Sequence, residues 1–265
     1  MNEMSRGTRA LGVKTFSLRA AILLLVCWPL AAAGFPLNTT DTGTLGLGRL
    51  KIEVTNERGV EAEGGSREVS VTNELAIKYG LRDNLDIFLE LPHKDERARD
   101  AGGNASRVQG VGDAKLGMKW RYFEKDNMSL GLKAVVTVPS GNDQKQLGTG
   151  KSTQSFNALL GYQMGPWEFS FDVGYKLNHN TQNQREGLGR VSAAAERSLG
   201  SRWKVMADIG VASNKSKSSH QFPAYLGAGL SFSMTKNTSL DAGVKGGLTA
   251  AETDLTWLVG MNVRL

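Results

Sequence analysis

The sequence predicts an all-β protein: a transmembrane antiparallel up-and-down β-barrel of about twelve strands, with short periplasmic turns and longer external loops. Three observations carry this reading. The first is a side-chain period of two. Ala114, Leu116, Met118, Trp120 and Tyr122 alternate with Lys115, Gly117, Lys119 and Arg121. The same alternation runs through 128–138, 156–164 and 167–177, whereas a helix would place apolar residues three and four apart. The second is strand length. A run of about 11 residues, tilted by about 40°, spans roughly 25–28 Å, the height of the apolar band of a membrane barrel. Strands of soluble domains average only about 5–6 residues. The third is where the aromatics fall. Tyr79, Trp120, Tyr122, Tyr162, Trp167, Trp203 and Phe232 sit beside the short turns, and Phe156, Tyr175 and Trp257 near the opposite rim. Amphipathic rings favour the two membrane–water interfaces, and nothing in a soluble barrel would sort them to strand ends.

Residues 1–33 read as a secretory signal rather than as part of the barrel, which occupies 34–265. Arg6, Arg9, Lys14 and Arg19 precede an apolar core of about 14 residues ending in Ala31-Ala-Ala33, too short for a spanning helix and broken by Pro29. Cys27 follows Val26 rather than a small residue, so lipoprotein processing is set aside. A chain cleaved near Ala33 loses its only cysteine, and its net charge falls from +6 to +3. A pI near 9.4 therefore owes half its basic excess to targeting, the rest is dispersed, and no nucleic-acid partner is expected. Export in this form implies the outer membrane of a Gram-negative bacterium.

After a polar tether through Asp41-Thr-Gly-Thr44, predicted strands cover 48–56 and 68–81, joined by a Gly- and Glu-rich loop. A third covers 85–91, and a long charged loop from His93 to Val111 leads to the fourth, at 114–122. The remainder are 128–138, 156–164, 167–177, 188–197, 203–211, 224–232, 240–244 and 255–265. The count is even, and connections of about 2–5 residues alternate with longer ones, which puts all short turns at one end.

Several motifs are weighed and set aside. Leu147-Gly-Thr-Gly-Lys-Ser-Thr153 has Lys145 where a phosphate-binding loop needs glycine, and it joins two strands instead of opening a helix. Asp41-Thr-Gly43 lacks the second copy an aspartic protease requires. His93, His179 and His220 all fall in predicted external loops, where a metal would need those loops to converge. No cofactor and no catalytic residue is expected.

Asp41-Thr-Gly-Thr44, Gly110-Val-Gly-Asp113, Val138-Pro-Ser-Gly141, Leu147-Gly-Thr-Gly150, Gly165-Pro-Trp167 and Gly174-Tyr175, in that order, resemble bacterial outer-membrane proteins grouped as "putative meta-pathway of phenol degradation". The resemblance covers nearly the whole chain after the signal. It departs at Ser140, where threonine is usual, and at Leu265, where outer-membrane strands usually end in phenylalanine. It implies a passive outer-membrane channel associated with aromatic catabolism and brings no catalytic residues.

The inward charges are the candidate pore lining. Lys115, Lys119, Arg121 and Lys133 form a basic wall, flanked by Asp86 and Glu90 on one side and by Glu168 and Asp172 on the other. Opposed charges of this kind set selectivity in narrow pores. Phe88 and Tyr225 also point inward and offer a surface to an aromatic solute. The expected protein is a monomer in membrane lipid that passes small solutes. The alternatives are a non-conducting barrel that binds a ligand or partner through its external loops, and a membrane-embedded lipid hydrolase needing an outward Ser–His pair.

Overall fold

The computed structural model describes residues 37–265; the predicted signal over 1–33 lies outside the described residues. Thirteen strands form one antiparallel sheet: β1 (Leu50–Glu63), β2 (Ser66–Arg82), β3 (Leu85–Arg99), β4 (Ala105–Val111), β5 (Ala114–Lys125), β6 (Met128–Val138), β7 (Thr153–Met164), β8 (Trp167–Leu177), β9 (Gly187–Leu199), β10 (Trp203–Ala212), β11 (Ala224–Ser233), β12 (Thr238–Gly247) and β13 (Leu255–Arg264). Each wall strand pairs with its sequence neighbours, and β1 pairs with β13 to close the ring. β4 and β5 pair with the outer and inner parts of β3, so they are one wall strand interrupted at Gly112-Asp113. The closed barrel therefore has the twelve strands the periodicity predicts.

Alternation puts apolar side chains outside. Phe156 is 55% exposed and Trp257 53%, while the inward Phe88 and Tyr225 are each 7% exposed. Burying apolar side chains inside drives soluble folds; here the order is inverted, and only a lipid surround makes such a belt stable. At the end carrying the short turns Trp203 packs on Phe232, with centroids 4.6 Å apart, and Trp120 on Tyr122 at 5.7 Å.

Hydrogen-bonded rows climb as they cross the wall. Leu50, at the short-turn end of β1, connects through Tyr79, Ile87, Met118 and Ala134 to Phe156 at the outer end of β7. That climb is the strand tilt a closed barrel requires.

Two expected loops are strand instead. The predicted Gly- and Glu-rich loop shrinks to the turn Gly64-Gly65, with φ of 56° and 85°, and β1 and β2 pair through to Glu63↔Ser66. The predicted loop from His93 to Val111 is mostly the β3–β4 hairpin, paired from His93↔Val111 to Arg99↔Ala105. Backbone ladders need no apolar face, so the strands continue where the alternation gives out: both faces of the β3–β4 hairpin are polar, and the β1–β2 extension keeps a short outward row of Val60, Val69 and Val71. Together β1–β4 form an apron standing beyond the barrel rim. The Leu147–Thr153 segment runs into strand β7, not a helix. Its neighbour Asp113 accepts hydrogen bonds from the Gly141 N–H (2.9 Å), the Thr149 N–H (2.7 Å) and the Thr149 hydroxyl (2.8 Å), fixing the loop at the strand break.

Candidate functional site in the barrel lumen

The segment predicted as an N-terminal tether is a strap running inside the barrel before it joins β1. Its backbone and side chains are held by inward groups from strands around the wall. The Thr39 N–H donates to Asp208 on β10 (3.3 Å) and the Thr40 N–H to Asp172 on β8 (3.2 Å). The Thr42 and Ser129 hydroxyls share a hydrogen bond of 2.6 Å. Lys119 on β5 donates to Asp41 at 2.9 Å, and the Leu45 N–H donates to both Asp86 oxygens, at 3.0 and 3.1 Å. The strap thus crosses the lumen from β10 to β3. Carboxylates buried without water must be hydrogen-bonded, and the strap's amides supply the donors. Its exit is tight: a Cβ at Gly80 would sit 1.8 Å from the Gly46 carbonyl oxygen, so only glycine fits there.

Two cavities lie along the lumen, one of about 460 Å³ toward the short-turn end and one of about 560 Å³ toward the outside. Leu37, Thr40, Glu74, Glu90 and Lys133 line both, so the two spaces meet at a junction made of strap and wall. Lys115 bridges the junction carboxylates, 2.8 Å from Glu74 and 3.0 Å from Glu90. Lys133 lies 5.2 Å from the Phe88 ring centroid and has no ion pair among the described residues. The outer cavity carries five basic side chains, Lys115, Lys133, Lys176, Arg190 and Lys215, against Glu57, Glu74 and Glu90.

The sequence-predicted residues divide accordingly. Asp86, Phe88, Glu90, Lys119, Lys133 and Glu168 line the inner cavity, and Lys115 joins the outer one. Asp172 is fully buried and engaged by Arg190, Asn157 and the strap, so it is no open acidic flank. Arg121 stands apart near the short turns, 3.3 Å from Glu124, and the basic wall is in effect Lys115, Lys119 and Lys133. Phe88 and Tyr225 lie flat on glycine partners: a Cβ at Gly117 would be 2.2 Å from the Phe88 ring, and one at Gly210 2.6 Å from Tyr225. Lys245 sits 5.3 Å from the Tyr225 centroid, and the Tyr225 hydroxyl donates to Asp208 at 3.1 Å. Little of either ring is left for a solute.

The sequence reading did not single out Asp208, Arg190, Glu74 or the Lys51–Glu53–Lys78 cluster. Each was visible as a charge at an inward parity position, a signal that needs a strand assignment but no structure. His93, placed in a loop by the sequence, is exposed on the outward face of β3, between Asn73 and Val111. With no serine beside it, it makes no hydrolase pair. Among the described residues no group of three His, Cys, Asp or Glu is placed to hold a metal ion.

Comparison with known proteins agrees with the architecture. The family described as "Putative MetA-pathway of phenol degradation" matches residues 38–265. An outer membrane channel from Pseudomonas putida F1 is similar in structure, with a TM-score of 0.69 at 14% identity, covering 87% of this chain and all of that one. The NanC porin gives 0.56 at 9% identity over 80% of this chain and all of its own. The translocator domain of the autotransporter NalP from Neisseria meningitidis gives 0.56 at 12% identity, over 84% and 91%. At these identities the likeness establishes the fold. Comparison with curated protein sequences gives no significant match.

Proposed function

This chain belongs to the phenol-degradation family that matches it over residues 38–265, and on that premise we propose that it is an outer-membrane channel. In this reading small solutes pass through without energy input. The observation that carries it is the pair of cavities meeting at the Glu74–Glu90–Lys115–Lys133 junction. The basic excess of the outer cavity attracts anions, so small anionic solutes, aromatic carboxylates and phenolates among them, are the favoured class. At the junction Lys115 is held between two carboxylates, which leaves Lys133 as the cation there that carries no ion pair among the described residues. Asp86, Asp172 and Asp208 position the strap and, through it, set the width of the junction.

The strap also favours a second reading, a barrel closed to flux that presents its external loops to a partner. Single-channel recording in planar bilayers separates the two. Discrete steps with anion preference, weakened by Lys133→Glu, support the channel. Silence from protein shown to be folded and inserted overturns it.

A further inference from the structure

The apron of β1–β4 gathers its arginines mostly on one face. Toward the pore axis it shows Glu61, Glu68 and Glu96, which line one cavity with Gly59, Ser70, Lys145 and the edge-lying Arg97. On the opposite face Arg58, Arg67, Arg97, Arg99 and Arg107 surround a concavity of about 420 Å³ floored by Val69. Two pairs of these arginines stand directly across from each other, Arg67↔Arg99 and Arg97↔Arg107. Like charges in that relation destabilise a sheet. Asp95 relieves only one pair, 2.5 Å from Arg97 and 2.8 Å from Arg107. Arg58, Arg67 and Arg99 have no ion pair among the described residues. Such a surface favours an anion.

Its position says which anion. The row that begins at Trp257, in the outer aromatic girdle, passes to Arg58, Val71, Asp95 and Gln109. Rows climb in that direction, and Arg67, Arg97, Arg99 and Arg107 lie further out again on their strands. The arginines therefore face sideways, away from the pore, in the layer just outside the apolar belt. In an outer membrane that layer holds the phosphorylated, carboxylated sugar headgroups of lipopolysaccharide. Guanidinium forks bind phosphate and carboxylate oxygens in pairs and tolerate partial desolvation better than an ammonium. We propose that the outer face of the apron is a docking site for the anionic headgroup of lipopolysaccharide, with Arg67 and Arg99 as its unneutralised anchors. The inference rests on the outer-membrane placement proposed above, with the apron outside, but not on conduction.

The test uses the full protein purified in detergent and titrated with fluorescent rough lipopolysaccharide, with its enzymatically dephosphorylated form, and with inorganic phosphate as competitor. Saturable binding that weakens at least tenfold on dephosphorylation, and likewise in Arg67→Gln/Arg99→Gln, is the expected result. These two arginines are chosen because Arg97 and Arg107 also hold Asp95, and heat-modifiable gel mobility checks that the variant is folded. Equal affinity for both lipid forms, or an unchanged double variant, overturns the proposal. Competition by inorganic phosphate at concentrations matching the lipid's also overturns it, in favour of a free-anion site. Labelling of Ser106→Cys in intact cells by a membrane-impermeant maleimide reads the placement separately. No labelling overturns the outward placement and the inference with it, whereas labelling without phosphate-dependent binding overturns the docking site alone.

Discussion

At the residue scale, two side chains show how the wall is made to fit its contents. Phe88 lies across Gly117 because its cross-strand partner has no Cβ. Gly117→Val would put methyl groups where the ring now lies, and it is expected to destabilise the barrel by about 1–3 kcal/mol, the usual cost of overpacking. A lower midpoint in urea unfolding from lipid vesicles would show it; an unchanged midpoint would mean the ring has another resting place. Asp95 is the second case. Hydrogen bonds from Arg97 and Arg107 hold its carboxyl well below the ordinary carboxylate range. Its folded value is thus lower than its unfolded one, so its stabilisation is complete above the unfolded value of about 3.9 and fades only as pH falls through the folded value. Amide protection in the β3–β4 hairpin should therefore be flat from neutral pH down to about that unfolded value and drop only in stronger acid. In Asp95→Asn protection should already be reduced at neutral pH and lack the acid step, as hydrogen exchange followed by mass spectrometry would read.

At the level of elements, legibility followed the environment of each strand. Inside the membrane one face must be apolar, so the periodicity located all twelve wall segments, and parity alone placed Lys115, Lys119 and Lys133 on the inward face. Outside it the constraint lapses. The β3–β4 hairpin, with Lys94, Glu96 and Ser106 on one face and Asp95, Arg97 and Arg107 on the other, carries no apolar stripe and read as a loop. The strap is harder still. Residues such as Thr39 and Thr42 are buried, yet they belong to no regular element, and nothing local marks the nine residues 37–45 as the contents of a barrel. What was available was the complementary signal, inward carboxylates (Asp86, Asp172, Asp208) whose acceptor capacity the neighbouring strands fill only in part, through Arg190, Asn157 and Tyr225. Ring burial by glycine partners could not be read either, since it depends on register across two strands.

For the whole molecule, the strap controls how much of the lumen is usable. Removing residues 37–45 deletes the amides bound to Asp86, Asp172 and Asp208 and merges the two cavities. A barrel so altered, checked for folding by gel mobility, should conduct severalfold more current than the intact chain. Equal conductance would mean that ions take a route the strap does not narrow. The deletion also removes Asp41 and so frees Lys119, which makes the lumen more positive; selectivity should shift toward anions at the same time, a change visible in the reversal potential under a salt gradient.

Every neighbouring pair in the wall is consecutive along the chain except one, the seam where Leu50 and Leu265 exchange hydrogen bonds. Assembly can thus proceed by local zippering, with a single long-range step at the end, the one that closes the longest loop. The strap leads directly into β1, one lip of that seam. Closure traps it against Asp86, Asp172 and Asp208 if it lies there when the lips meet, because the finished wall offers it no sideways entrance. Its binding is in this sense a checkpoint in assembly: a chain whose strap is mislaid would close around an empty lumen, and the error could be corrected only by lengthwise insertion from an open end.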